Sequence, residues 1–340
     1  MATFTQLPSG SWRAQVRRGG LTRGATFKLK REAQDWASVV ETQATHIIAS
    51  GYQPIPKGFT FAHLIDAYVG SVKAGGKTKT ATLTMLKRQL GHVALKSLNS
   101  VHLRDFIDRR KADGAGGVTL SADLSYIGAV MKWAKHSRQM DVSTELALNA
   151  RRDLTSQGIS TRSNERSREP TKSELEALFN HWQGNERQRI PMHTIVEFAL
   201  SSAMRLSEIC SITAEDVKPS VPSVLIRDRK DPRKKDGNHQ DVALLPAAWD
   251  IVAPILKERP TGKLFPYQPS SVSTAFTRAC AKLNIADLHF HDLRHAAASN
   301  LFRIGLDIPH VASITGHKDW KMLKRYTHIT PTDVFAKLKK

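Results

Sequence analysis

Cysteine is nearly absent from this chain: 340 residues contain two, Cys210 and Cys280. Two thiols are too few for a disulfide framework or a thiolate zinc site, and both lie among apolar neighbours. Buried, reduced cysteines in a cytosolic protein are therefore expected. Long apolar runs are missing too. No stretch approaches the ~18 consecutive apolar residues of a membrane span, so no membrane partner is expected. The opening Met1-Ala2-Thr3-Phe4-Thr5-Gln6 has neither the charged nor the apolar region of a secretory signal. Acidic side chains are scarce beside basic ones: 31 Asp and Glu face 51 Lys and Arg, a net charge of +20. That excess is +5 over residues 1–57, +8 over 58–164 and +7 over 165–340. An acidic small substrate would need only a local basic patch. One sign of charge in every segment points to a long polyanion, that is, nucleic acid.

With 40% hydrophobic residues the chain can build real cores, and its length suggests two or three of them. Residues 1–57 open with period-two alternation, Trp12, Ala14 and Val16 against Arg13, Gln15 and Arg17. Gly19-Gly20 then offers a turn into a second run ending at Phe27, which reads as an antiparallel hairpin. A helix from about Arg31 follows, with Ala33, Trp36, Val40 and Ile47 on one face. The projecting Arg13 and Arg17 either meet DNA or simply solvate the sheet, and charge alone does not choose. The segment Gly51–Gly58 is a linker by its Pro and Gly content.

Residues 58–164 are helical in pattern. Thr60 caps a helix through Phe61, Leu64, Ile65 and Tyr68; Leu83, Leu86 and Leu90 mark a second, ending at Gly91. A third follows Ser100 and ends in Arg109-Arg110-Lys111, and a fourth runs from about Ser121. Lys77, Lys79, Arg109 and Arg110 are candidate DNA contacts on these four helices, although each singly reads as a solvated charge. Residues 156–170 read as a polar linker. Thr171-Lys172-Ser173-Glu174 is a capping box that starts a mostly helical domain. Two strands, near 224–226 and 242–245, interrupt it around a basic hairpin loop that holds Lys230, Lys234 and Lys235.

The stretch His289-Phe290-His291-Asp292-Leu293-Arg294-His295 is one residue away from HExxH, but Asp292 stands where that zinc motif needs Glu. The other reading pairs an imidazole able to move a proton with a guanidinium able to clamp an anion. Arg205 and Glu208, one helical turn apart, form a second such element in which the carboxylate can orient the guanidinium.

Taken in order, Arg205-x-x-Glu208, His291-x-x-Arg294, Gly316-His317 and Tyr326-Thr327-His328 closely resemble the tyrosine recombinase (phage integrase) family. The intervals match as well, 23 residues from Arg294 to His317 and nine from His317 to Tyr326. Ala203 replaces the usual Gly and Thr315 the usual Leu, and neither change removes a reacting group. The resemblance implies a mainly α fold with small β elements in three parts. These are a three-stranded-sheet-plus-helix arm-binding domain with its linker over 1–57, a helical core-binding domain with its linker over 58–164, and a catalytic domain over 165–340.

It also implies strand exchange on double-stranded DNA at specific sites, for integration, excision or inversion. Tyr326 would attack phosphorus to give a 3′-phosphotyrosyl link. Arg205 and Arg294 would clamp the phosphate, with His291 as the candidate base and Lys230, or second Lys235, as the acid. His317 would bond a phosphate oxygen, and Glu208 would hold the geometry. Each new bond replaces a similar one, so no cofactor, nucleotide or metal is required. The family further implies a homotetramer in the synaptic complex, a monomer without DNA, host accessory or directionality proteins, and a place at the bacterial nucleoid. Val334, Phe335 and Leu338 share one face of a C-terminal helix that would dock on its own domain or on a neighbouring protomer. A type IB topoisomerase would use similar residues, and a DNA-binding regulator could keep the fold with an inactive site.

Overall fold

The computed structural model describes every residue except Gly20, Ala74, Asn164, Glu186, Arg187, residues 231–236 and residues 328–340. The chain divides into two compact units, Met1–Asn164 and Glu165–Lys340. Lys234, Lys235 and the C-terminal face of Val334, Phe335 and Leu338 lie outside the described residues.

The first unit opens with an antiparallel sheet of β1 (Ala2–Gln6), β2 (Trp12–Arg18) and β3 (Leu21–Phe27), in that spatial order. Alternation along β2 sends Ala14 and Val16 inward, where neither keeps any exposed surface. They pack on α1 (Lys30–Ser50), whose buried stripe is Ala33, Ala37, Val40 and Ala44. This stripe is turned slightly from the expected one. Small alanines let the helix lie close to the sheet, and Trp36 is displaced to the edge, where its ring stacks obliquely on Phe27 at 5.7 Å. Trp12 is only half-buried, with the Lys30 ammonium 4.9 Å from its ring centre. Arg13 and Arg17 are exposed.

The helices α2 (Phe61–Ser71), α3 (Lys77–Leu90), α4 (Ser100–Ala112), α5 (Gly117–Arg138) and α6 (Leu146–Ser156) surround a second core. Phe61, Leu64, Leu86, Leu103, Phe106, Leu124 and Ile127 fill it and are fully enclosed. The sequence pattern missed α6, whose apolar stripe of Leu146, Ala147, Ala150 and Leu154 is short and half alanine, so it stands out little. Two boundaries also differ from expectation. The cap of α4 is Asn99, whose Oδ1 accepts from Val101 N at 3.0 Å and His102 N at 3.3 Å. Helix α5 begins at Gly117, ahead of the expected Ser121, on a turn that periodicity cannot see.

The second unit starts inside the stretch read as a polar linker, and here that reading is corrected. Arg166 donates to Asp292 through Nε at 3.2 Å and Nη2 at 2.8 Å, and to Asp287 Oδ1 at 2.8 Å. Arg168 bonds Glu174, and Arg303 bonds Glu169. The alternating charges of 165–169 look solvated in sequence because, Arg168 with Glu174 apart, their partners lie more than a hundred residues away.

The expected capping box holds α7 (Lys172–Gln183): Glu174 N donates to Thr171 Oγ1 at 3.2 Å, and Thr171 N to Glu174 Oε2 at 2.8 Å. Then follow α8 (Met192–Ser202), α9 (Leu206–Ile209), and a small antiparallel sheet of β4 (Val217–Lys218), β5 (Ser223–Ile226) and β6 (Gln240–Ala243). Strand β4, too short for an alternation to register, joins the expected pair. Helices α10 (Pro246–Glu258), α11 (Pro269–Lys282), α12 (Phe290–Arg303) and α13 (Ile308–Thr315) complete the unit, with a 3-10 turn at Trp320–Tyr326. Its core runs from Ile195 and Phe198 on α8 through Phe276 to Leu293 and Ala297 on α12. Cys210 and Cys280 are buried in it as free thiols, and burial pushes both up to about 11.

Candidate active site

The end of α8 sets the first element of the site. Ala203 takes φ 53°, the left-handed conformation that stops the helix, and so turns the chain to place Arg205 at the cap of α9. An alanine there carries strain of about 1–2 kcal/mol that a glycine would not. Glu208 then folds back on Arg205, accepting from its backbone N at 3.1 Å and from Nη1 at 2.6 Å. The pairing foreseen for these two residues is present in this form.

Glu208 also accepts from a residue that sequence reasoning missed. Arg229, 1% exposed, is among the largest fully buried side chains of the described residues. Its Nε reaches Glu208 at 3.4 Å, Nη1 bonds Gln240 Oε1 at 3.1 Å and Ser313 O at 3.2 Å, and Nη2 bonds Ile314 O at 2.7 Å. The guanidinium thus ties the base of the hairpin to α9 and to the carboxyl end of α13. Gly316 must follow α13 without a side chain: its φ is +72°, and a Cβ there would stand 2.5 Å from the Arg229 guanidinium. No periodicity marks Arg229, which lies in the run Arg227-Asp228-Arg229-Lys230 and reads as one more loop charge.

Arg294, 4% exposed, rises from α12 and donates Nη1 to Ala203 O and Nη2 to Thr315 O. Two of its five N–H groups are used in this way, which locks the fork and leaves three for a ligand. Thr315 is the second missed residue. Fully buried, its Oγ1 donates to Val311 O at 2.6 Å and lies 2.7 Å from His317 Nδ1. A hydroxyl has one proton, so with that proton on Val311 the contact to His317 requires Nδ1–H as donor, an assignment made from the network. Burial, reinforced by Arg294, Arg205 and Arg229, pushes His317 down to about 3. His291 lies at the start of α12 with its ring partly open to solvent. Partial burial, His295 and the guanidiniums of Arg294 and Arg205 push it down to about 4.

Tyr326 ends the 3-10 turn and is 7% exposed. Its hydroxyl is hydrogen-bonded to His295 Nδ1, not to His291, which meets His295 edge to face with ring centres 5.0 Å apart. Burial raises the phenol above its ordinary range although Arg325 and Arg294 oppose the shift. Lys230 is exposed where the hairpin loop begins.

Charge carries the chemical argument. Burial pushes the Glu208 carboxyl up, but Arg229 and Arg205 hold it below the usual carboxylate range, so it is ionised at neutral pH. The histidines are neutral there. Three guanidiniums therefore stand around one carboxylate, and the cluster keeps a net positive charge.

Among the candidate DNA contacts of the first unit, Arg13, Arg17, Lys77 and Arg109 are exposed. Lys79 lies 4.7 Å over the Tyr68 ring, and Arg110 donates Nε to the buried Asp123 at 3.1 Å. Arg110 is thus tied to the bundle's own structure.

A model of the phage integrase family matches residues 170–333, which takes in the whole constellation from Arg205 to Tyr326. Residues 170–333 are a tyrosine recombinase (phage integrase) domain. A shufflon-specific DNA recombinase of Escherichia coli is 34% identical over 176 residues, 51% of this chain but 43% of that protein, so the chain spans under half of this relative's length. A putative integrase/recombinase of Haemophilus influenzae is 26% identical over 337 residues, covering 94% of this chain and 85% of its own. The fold of the chain matches a lambda integrase dimer bound to a COC′ core site, with a TM-score of 0.62 at 15% identity over 95% of this chain and 93% of the other. It also matches a lambda integrase tetramer bound to a Holliday junction, with a TM-score of 0.60 at 15% identity over 96% of each chain.

Proposed function

We propose that the protein is a site-specific DNA recombinase that cuts and rejoins double-stranded DNA through a 3′-phosphotyrosyl intermediate. The observation that carries this reading is the cluster of Arg205 and Arg229 on the carboxylate of Glu208, with Arg294 held beside it on the Ala203 and Thr315 carbonyls and the Tyr326 hydroxyl enclosed in the same unit. A phosphodiester supplies the missing negative charge. Arg205 and Arg294 hold its non-bridging oxygens and stabilise the charge that builds on them as phosphorus becomes pentacoordinate. Glu208, paired with Arg229, fixes the Arg205 fork from behind, and the Ala203 and Thr315 carbonyls fix that of Arg294. Tyr326 attacks, and Lys230 protonates the departing 5′-oxygen. His291 works on the phosphate side of the site, next to the two arginines that depress it. His317, neutral with its proton on Nδ1, presents an unprotonated Nε2, which fits acceptance of a hydrogen bond better than donation to a phosphate oxygen. A neutral imidazole of the site takes the phenolic proton.

Within this proposal the three-part division keeps its sense. The sheet with Arg13 and Arg17 binds an arm-type sequence, the bundle with Lys77, Lys79 and Arg109 holds the core site, and the second unit cuts. Four protomers act together on two duplexes, with accessory proteins setting direction, in the bacterial cytosol at the nucleoid.

The test is incubation with candidate site DNA followed by a denaturing gel. A covalent protein–DNA adduct is expected from the unaltered chain and none from Tyr326→Phe, which should still bind the site because only the hydroxyl is lost. An adduct formed by Tyr326→Phe removes Tyr326 from the chemistry. No adduct from any site that is bound sequence-specifically favours a regulator with an inactive site.

A further inference from the structure

His295 was weighed in sequence only as half of a zinc motif, and the function above assigns it nothing. In the structure its Nδ1 is the hydrogen-bond partner of the Tyr326 hydroxyl, with the two rings 5.7 Å apart and tilted by 32°. Tyr326 is buried and holds its proton, and with no other acceptor for that O–H among the described residues we assign the O–H as donor and Nδ1 as acceptor. That places the imidazole proton on Nε2.

We propose that His295, rather than His291, is the catalytic base that takes the Tyr326 proton during cleavage and returns it during resealing. This rests on the reading of Tyr326 as the nucleophile. As the Oη–P bond forms and the P–O5′ bond breaks, the phenolic proton moves to His295 Nδ1 and the 5′-oxygen takes a proton from Lys230. Resealing reverses each transfer.

The groups around His295 explain when it can act. On its own helix stand His291, Asp292 and Arg294; the 3-10 turn contributes Arg325 and Tyr326, and the entry segment Arg166. Asp292 is already committed to Arg166 and to the His289 N–H. Burial, outweighing the help of Asp292, keeps the imidazole neutral at pH 7, and Arg325, Arg294 and Arg166 add to it. A neutral imidazole on a phenol of raised pKa is a reluctant acceptor. A phosphodiester bound on Arg205 and Arg294 cancels part of the cationic field and strengthens the base. Proton removal from the nucleophile thus depends on DNA already being in place.

The test uses the full chain on site DNA in single-turnover cleavage. His295→Gln keeps a side chain able to accept a hydrogen bond but not a proton. It should slow adduct formation by about 10²- to 10³-fold, within the usual range for general base catalysis, and leave site binding unchanged. The acid limb of the wild-type pH profile should vanish, leaving a rate that climbs with pH toward the phenol's own ionisation. Trifluorotyrosine at position 326, which ionises without help near neutral pH, should restore the His295→Gln rate to within about tenfold of the same substitution beside His295. His291→Gln should gain nothing from the fluorinated residue. Equal rates for wild type and His295→Gln, or no rescue, overturn the proposal, whereas a wild-type chain that forms no adduct overturns the functional reading instead. Should His295→Gln bind DNA poorly, nitrogen NMR of labelled histidine in the unaltered chain decides: an unprotonated Nδ1 is expected, and an Nδ1–H refutes the assignment.

Discussion

Arg229→Met is the sharpest structural test of how the site is held. The substitution keeps much of the aliphatic bulk and removes a guanidinium that is 1% exposed and makes four hydrogen bonds, to Glu208, Gln240, Ser313 and Ile314. Breaking a buried ion pair by deleting one partner typically costs ~3–5 kcal/mol, because the other charge stays behind in a poorly solvated place. Here Glu208 keeps Arg205, which draws the expectation to the lower end, about 3 kcal/mol. The abandoned carbonyls of Ser313 and Ile314 return part of that. For a unit of this size each kcal/mol moves the midpoint by roughly 2–4 °C, so thermal unfolding of the second unit should fall by about 10 °C.

Urea titration of the full chain, read by circular dichroism, measures the loss. Hydrogen exchange should localise the loosening to α13 and the amides of Gly316 and His317. A double mutant separates charge from packing. Glu208→Gln together with Arg229→Met removes both members of the buried pair, leaving only the half-buried Arg205 without its carboxylate, and should cost at least about 1 kcal/mol less than the sum of the single changes. If Arg229→Met costs under about 1 kcal/mol, or the two changes simply add, the buried pair is not what joins the hairpin to α9. Cleavage should fall in either case, since Arg205 leans on the same carboxylate.

Other outcomes follow from the same geometry. Lys230→Ala should lose most cleavage activity and recover it on DNA carrying sulfur at the 5′-bridging position, because a thiolate leaves without a proton; rescue of Lys235→Ala instead would move the acid to that residue. Thr315→Val should slow cleavage while lowering stability by only about 1 kcal/mol, since it frees His317 to turn without changing the bulk of the core; unchanged cleavage would make the Thr315 contact incidental. His317 is lowered to about 3 in the folded chain, so the unfolded state binds more protons between about pH 3 and 6.5. Its contribution should therefore be present above pH 6.5 and be lost as the pH falls toward 3, and His317→Gln should flatten that part of the stability profile. Deleting residues 1–57 should spare core-site binding and abolish binding to any arm-type sequence. A truncated chain that binds every segment as before would leave Arg13 and Arg17 as solvated charges.

What could be read from the sequence divides along a physical line. Local rules exposed whatever their interactions close within a few residues: the Thr171–Glu174 capping box, the Arg205–Glu208 turn and the alternation that buries Ala14 and Val16. The order and spacing of Arg205, His291, Arg294, His317 and Tyr326 were equally legible, because chemistry fixes those residue types. Arg229, Thr315, Arg166 and His295 were not. Arg229 bonds across more than eighty residues to Ser313 and Ile314, Arg166 across more than a hundred to Asp292, and His295 across 31 to Tyr326. In sequence a buried arginine and a solvated one are the same letter, and only the fold reveals which acceptors it meets. Thr315 shows the limit most clearly. Set against the family's usual Leu it looks like a tolerated swap of one buried side chain for another, yet its hydroxyl fixes the proton on His317. Substitutions next to a motif can therefore change which nitrogen faces the substrate while every reacting group stays in place. A relative with leucine at this position would leave its histidine free to present Nε2–H to the phosphate, so comparing the pH profile of Thr315→Leu with that of the unaltered chain would show how far this one hydroxyl sets the role of His317.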